Sequence, residues 1–66
     1  MRLFKIDNNG NENFINPEKV IAVFVKEEQT WIELDAGGEK SKYSYGVSAK
    51  ESLHEVVSRI NEALSE

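Results

Sequence analysis

The residue types that most often carry chemistry are sparse in this sequence. It has a single histidine, His54, and histidine is the usual side chain that titrates near neutral pH. At helical spacing its neighbours are Ser58 and Asn61, so no carboxylate is placed to orient the ring as in a catalytic triad. We interpret His54 as a histidine that flanks the apolar stripe of a helix, half covered by a sheet edge, and we expect no enzyme activity.

Two further patterns could bind a ligand. Gly37-Gly38 could cradle a phosphate, but phosphate loops lead directly into a helix, whereas these glycines lead into Lys40-Ser41-Lys42. We therefore predict a hairpin turn there. With no cysteine and no cluster of histidines and carboxylates at ligand spacing, the sequence predicts neither a metal site nor a cofactor. The acidic residues are interpreted as a solvated face, with docking of a basic partner as the alternative; they are Glu27, Glu28, Glu51, Glu55, Glu62 and Glu66.

Trp31 is the strongest candidate for a binding residue. In the segment 30–35, alternation predicts that Trp31 shares a face with Glu33, opposite the apolar side chains of Ile32 and Leu34. Tryptophan there is either a rim residue packed over neighbouring strands or the anchor of an interface, where tryptophan is enriched. The candidate interface comprises Trp31, Glu33, Phe24, Tyr43 and Tyr45, and the sequence does not decide which face carries the two tyrosines.

Composition limits the class of protein. The chain has 66 residues, which we interpret as a single domain over 1–66, and no cysteine, which favours a reducing compartment such as the cytoplasm. A domain this short buries only about 60% of the surface that its unfolded chain exposes, so its stability is marginal and a partner is useful to it. We recognise no signal peptide and no membrane span.

The local signals predict strands at about 2–7, 12–16, 19–26, 30–35 and 40–47, and a helix at about 49–64. Asn9-Gly10 is typical of a type I′ hairpin turn. Asn16-Pro17 begins a helix, yet β-branched and aromatic residues follow at once, so we predict one helical turn at 17–19 and then a strand. Because that strand is apolar without interruption, we expect it to be central and covered on both faces.

The last segment is predicted as an amphipathic helix. Ser48 and Glu51 have the spacing of a capping box, which would start the helix there. One apolar stripe then recurs at helical spacing, formed by Leu53, Val56, Val57, Ile60 and Leu64. The predicted fold class is α+β, a small antiparallel β-meander of about five strands with one C-terminal helix packed on the sheet.

From Phe14 onward the sequence resembles the FlbD-like proteins, a family of small proteins encoded among flagellar genes and related to swarming motility. The resemblance is carried by the segments 14–21 (FINPEKVI), 30–34 (TWIEL), Gly37-Gly38 and 51–57 (ESLHEVV). It implies a short strand-rich module that serves motility. A weaker similarity, to the strand-rich half of LytTR-type DNA-binding domains, implies nucleic-acid binding.

Two function classes follow. The first is a small protein–protein interaction module that binds a protein partner, which can be a second copy of itself. The alternative is a regulator that binds nucleic acid through basic residues, namely Arg2, Lys5, Lys19, Lys40 and Lys42. The net charge is −4, with +1 in residues 1–26 and −5 in residues 27–66, and this balance works against contact with phosphates. We therefore favour the first class.

Overall fold

In a computed structural model, residues 1–36 and 44–66 are described, and they form five antiparallel strands and one C-terminal helix. This confirms the predicted α+β class. The elements are β1 (Phe4–Asn8), β2 (Asn11–Ile15), a 3₁₀ turn (Pro17–Lys19), β3 (Val20–Lys26), β4 (Gln29–Asp35), β5 (Ser44–Ala49) and α1 (Leu53–Ser65). The strands divide between two sheets, a β1–β2 hairpin and a three-stranded sheet ordered β3–β4–β5. The predicted glycine turn and the start of the last predicted strand lie outside the described residues.

The β1–β2 hairpin forms as the sequence predicts. Asn9 and Gly10 both have positive φ, at 52° and 83°, as a type I′ turn requires. The Asp7 carboxylate accepts a 3.0 Å hydrogen bond from the Gly10 N–H and so closes the turn. Alternation along β1 turns Phe4 and Ile6 into the core, with 6% and 0% of their surfaces exposed.

The Asn16-Pro17 corner separates the two sheets. The Asn16 side chain accepts a hydrogen bond from the Glu18 N–H at 3.0 Å, and Pro17 occupies the first position of the 3₁₀ turn. The turn ends at Val20, which is extended. The helix-start residues therefore form only a single turn, and the β-branched residues beyond it form a strand.

The prediction that this strand is central is wrong. Among the described residues β3 pairs with β4 alone and β4 is the middle strand, so β3 is an edge. Its apolar residues are not covered on both faces, since Ile21 and Val25 are 57% and 56% exposed. The pairing register shifts between Val20 and Ala22, and this bulge turns Val20 toward the core, away from the face of Phe24.

The turn between β3 and β4 is tight and uses unfavourable residues. Lys26 pairs with Gln29, so only Glu27 and Glu28 connect the strands, with φ values of 53° and 65°. Left-handed backbone costs a residue with a Cβ roughly 1–2 kcal/mol relative to right-handed backbone. Geometry of this kind usually selects asparagine and glycine.

The helix begins later than predicted. Ser48 belongs to β5, where it pairs with Trp31, and its hydroxyl donates to the Asn8 side chain at 3.1 Å. The N-cap is Ser52, whose hydroxyl accepts from the Glu55 N–H at 3.2 Å. The same Ser-x-x-acid spacing thus occurs twice, and the first copy is used in the sheet because β5 continues to Ala49.

The predicted apolar stripe of α1 is displaced around the helix. Val56 and Ala63 are buried and Ile60 is partly buried, whereas Leu53, Val57 and Leu64 are 38%, 38% and 47% exposed. The buried residues pack with side chains of both sheets; the core consists of Phe4, Ile6, Ile15, Ile32, Leu34, Ala49, Val56 and Ala63. No helix among the described residues has the length and apolar character needed to cross a bilayer.

A polar contact joins the hairpin to the helix. The Glu51 carboxylate accepts the Asp7 N–H at 3.1 and 3.2 Å and binds the Arg59 guanidinium at 2.8 Å. Arg59 also donates to the Lys5 carbonyl oxygen at 2.6 Å and to Glu55 at 2.8 Å. The Glu51 side chain is only 12% exposed, so the bonds that it makes are less screened by water than the exposed bond between Arg59 and Glu55.

The β3–β4 turn predicts a stabilising double substitution. Replacing Glu27 with Asn and Glu28 with Gly should raise the free energy of unfolding by about 1–2 kcal/mol, because both new residues accept positive φ. Urea denaturation measures the change. The control, Glu27→Gln with Glu28→Gln, makes the same change of charge without relieving the backbone, and an equal gain in the control would contradict the explanation.

The Glu51–Arg59 contact predicts a large asymmetry between two acidic residues. Glu51→Ala should lower the free energy of unfolding by about 2 kcal/mol, because it leaves the Asp7 N–H without its acceptor and removes the least exposed carboxylate from the Arg59 guanidinium. Glu55→Ala removes a carboxylate from the same guanidinium, but that carboxylate is 51% exposed, and the expected loss is below about 1 kcal/mol. Equal losses in chemical denaturation would show that the buried contact is not special.

Candidate interaction surface

The candidate residues Trp31, Glu33 and Phe24 lie on one face of the three-stranded sheet. Trp31 pairs with Phe24 on β3 and with Ser48 on β5, and directly paired residues share a face. The opposite side of β4 faces the core, with Thr30, Ile32 and Leu34 at 5%, 0% and 2% exposure. The predicted alternation of β4 is therefore confirmed. We call the surface formed by Ala22, Phe24, Trp31, Glu33, Gly46 and Ser48 the outer face.

The Trp31 indole lies against the backbone of Gly46. A Cβ added at Gly46 would be 3.4 Å from Trp31 Cε3 and 3.8 Å from Cζ3. Because Gly46 has no side chain, the indole ring can approach the backbone of β5 closely, and Trp31 is partly buried as a result. Trp31 is therefore compatible with both interpretations, a rim residue and an interface anchor, because the ring packs on a neighbouring strand and still contributes to the surface.

The side of β3 that pairs with no strand in residues 1–36 and 44–66, which we call the free edge, adjoins the outer face. Phe24 is 39% exposed and is flanked along the strand by the more exposed Ile21 and Val25. A strand at a sheet edge presents unpaired backbone N–H and C=O groups, and natural proteins usually protect such edges with charges, prolines or bulges. Here the seven residues of β3 contain one charge, Lys26, and one bulge.

Tyr45 is not part of this surface. It pairs with Leu34 and so lies on the other side of the sheet, with 52% of its surface exposed. There it lines a shallow groove of about 280 Å³ together with Leu3 and Phe14. Sequence reasoning did not single out this second apolar patch. Alternation in β2 could have indicated it, because Phe14 points to the side opposite the buried Ile15. Tyr43 lies outside the described residues.

The groups considered for catalysis and metal binding stay apart. His54 is exposed on α1 rather than half covered by the sheet, because it lies two residues before the buried Val56 and so points to roughly the opposite side of the helix. Within the described ranges no three side chains of histidine, cysteine, aspartate or glutamate are grouped to hold a metal ion. One groove of about 630 Å³, open to solvent, is lined mainly by polar residues of turns and strand ends, and no histidine is among its lining residues.

Several basic residues of the nucleic-acid alternative are paired with carboxylates. Arg2 binds Glu62 at 3.0 Å and also Glu66, and Lys5 binds Glu12 at 3.5 Å. All of these side chains are more than half exposed, so the pairs are weak, but they place acid beside each base. Lys40 and Lys42 lie outside the described residues.

Comparison with known proteins gives no relative. No protein-family model matches the chain. No curated protein and no solved structure matches it either.

The position of Trp31 predicts how the fold responds to charge on each side of β4. Trp31→Glu should fold and lose less than about 2 kcal/mol of unfolding free energy, because the new carboxylate reaches solvent on the outer face. Ile32→Glu should lose more than about 4 kcal/mol, because it buries an unpaired charge in the core. Thermal melts followed by circular dichroism measure both, and an unfolded Trp31→Glu variant would identify Trp31 as a core residue.

Proposed function

We propose that this chain is a small, non-enzymatic protein–protein interaction module that binds through the outer face and the free edge of β3. The observation that carries the proposal is the exposure of Ile21, Phe24 and Val25 on an edge strand, beside Trp31. Aromatic residues dominate the energy of protein interfaces, and an exposed apolar edge is a template for strand addition.

The charge distribution supports a protein partner over a nucleic acid. The outer face contains Glu33, and the basic residues nearest the N-terminus already contact carboxylates. A phosphate backbone is bound by many unpaired lysines and arginines, and each such contact makes the affinity fall with salt. Absence of retention on DNA or RNA at low salt is therefore expected.

We further propose a role as an accessory factor of the FlbD-like motility type in the cytoplasm. Its support is the sequence resemblance, whose segment 14–21 forms the Asn16-Pro17 corner with the start of β3, whose segment 30–34 forms the middle of β4 and whose segment 51–57 leads into the start of α1. The resemblance therefore includes Trp31 and Glu33 of the outer face.

Site-specific photo-crosslinking tests the proposed function. A photoreactive amino acid replaces Phe24 in the full chain, expressed in the native host, and the matched control carries it at the exposed Ser58 of α1. We expect protein adducts that form from position 24, are absent from position 58 and disappear when Trp31→Glu is added. Identical adduct patterns at the two positions would overturn the proposed surface.

A further inference from the structure

We propose that the free edge pairs with the free edge of a second copy of this chain, antiparallel and with the twofold axis at Phe24. This inference rests on the proposed function and names the partner. The result would be a continuous six-stranded sheet with β3 of each copy at its centre. A twofold interface uses the same patch on both copies, so a single exposed strand suffices to build it.

The backbone of β3 has the pattern that this register needs. In a two-residue hairpin the flanking residues, here Lys26 and Gln29, exchange both of their hydrogen bonds. Alternation then directs the N–H and C=O groups of Val23 and Val25 away from β4. A twofold axis at Phe24 places Val23 opposite Val25 of the partner subunit, so that each outward group meets a complementary one.

The apolar side chains also match. On the outer face, Phe24 would pair with Phe24 of the partner subunit, and Trp31 of each copy would flank this pair. On the other face Val25, now 56% exposed, would contact Val23 of the partner subunit. The paired segment is 22–26, so the bulge next to Val20 stays outside the interface.

Charge complementarity identifies the occupant as a second copy. In this register Lys26 lies opposite Ala22 of the partner subunit, and Ala22 pairs with Glu33 on β4. Strands are about 4.8 Å apart, so Lys26 and Glu33 of the partner subunit stand about 10 Å apart at their Cα atoms, within reach of a lysine and a glutamate side chain. The short Ala22 side chain leaves the path open. Twofold symmetry forms this ion pair twice.

Sedimentation equilibrium of the purified full chain from about 1 μM to 1 mM tests the proposal. We expect a concentration-dependent dimer whose Kd rises roughly tenfold in Lys26→Glu and in Glu33→Lys, because each variant replaces two attractions by two repulsions. The double variant, Lys26→Glu with Glu33→Lys, should return the Kd to within about threefold of wild type. Lys50→Glu, an exposed charge reversal outside β3 and β4, is the control.

Several outcomes would overturn the dimer. A monomer at all concentrations would do so, and so would a dimer whose two charge variants are not rescued by their combination, provided circular dichroism shows all variants folded. The proposed function fails separately, since it depends on position-specific adducts at Phe24 in cells. If position 24 gives adducts with other proteins only and the purified chain is a monomer, the proposed dimer is wrong while the proposed interaction surface is supported.

Discussion

The contact of Glu51 with Arg59 is the constraint on which the arrangement of the two sheets depends. The chain has no cysteine and therefore no disulfide, and in the part of the chain that the structure describes its hairpin shares no strand ladder with the three-stranded sheet. Glu51 follows β5, Arg59 lies on α1, and both bind the backbone of β1, at the Asp7 N–H and the Lys5 carbonyl. A second backbone bond, from the Lys50 N–H to the Asp7 carbonyl at 2.8 Å, reinforces the same junction. Three elements therefore meet at one polar contact above the apolar core.

With the helix held against the hairpin, α1 packs on the core side of the sheets and leaves Phe24 on the outer face 39% exposed. Among the described residues the core of buried apolar side chains is small, and Phe24 is an exposed side chain of β3 that a partner on the outer face would bury. The left-handed backbone at Glu27 and Glu28 keeps the β3–β4 turn short, which aligns Phe24 with Trp31. Strain in the turn and exposure at the edge thus contribute to the same surface.

Interpretation of the sequence succeeded where neighbouring residues decide the outcome. The Asn9-Gly10 turn and the Asn16-Pro17 corner depend on backbone preferences and on hydrogen bonds within four residues, and both formed. The alternation of β4 also held. The predicted start of the helix at Ser48 was wrong. Two capping patterns of the same spacing compete there, and the pairing of Ala49 with Thr30 across the sheet extends β5 past the first of them. Long-range packing also explains why the buried side of α1 differs from the predicted stripe. The helix packs against β1, β3 and the 3₁₀ turn, and this buries Ala63 rather than Leu64.

The sequence by itself determined the class of the fold, the sites of the first hairpin and the corner, the two faces of β4 and the presence of a C-terminal amphipathic helix. These follow from residue propensity, turn geometry and periodicity, which act over a few residues. Only the tertiary structure decided that β3 is an edge, that Tyr45 lies on the face opposite Trp31 and that Glu51 is a partly buried partner of Arg59 rather than a helix cap. An apolar strand has the same local pattern at the centre of a sheet and at its rim, and which of these it occupies depends on contacts between residues far apart in the chain.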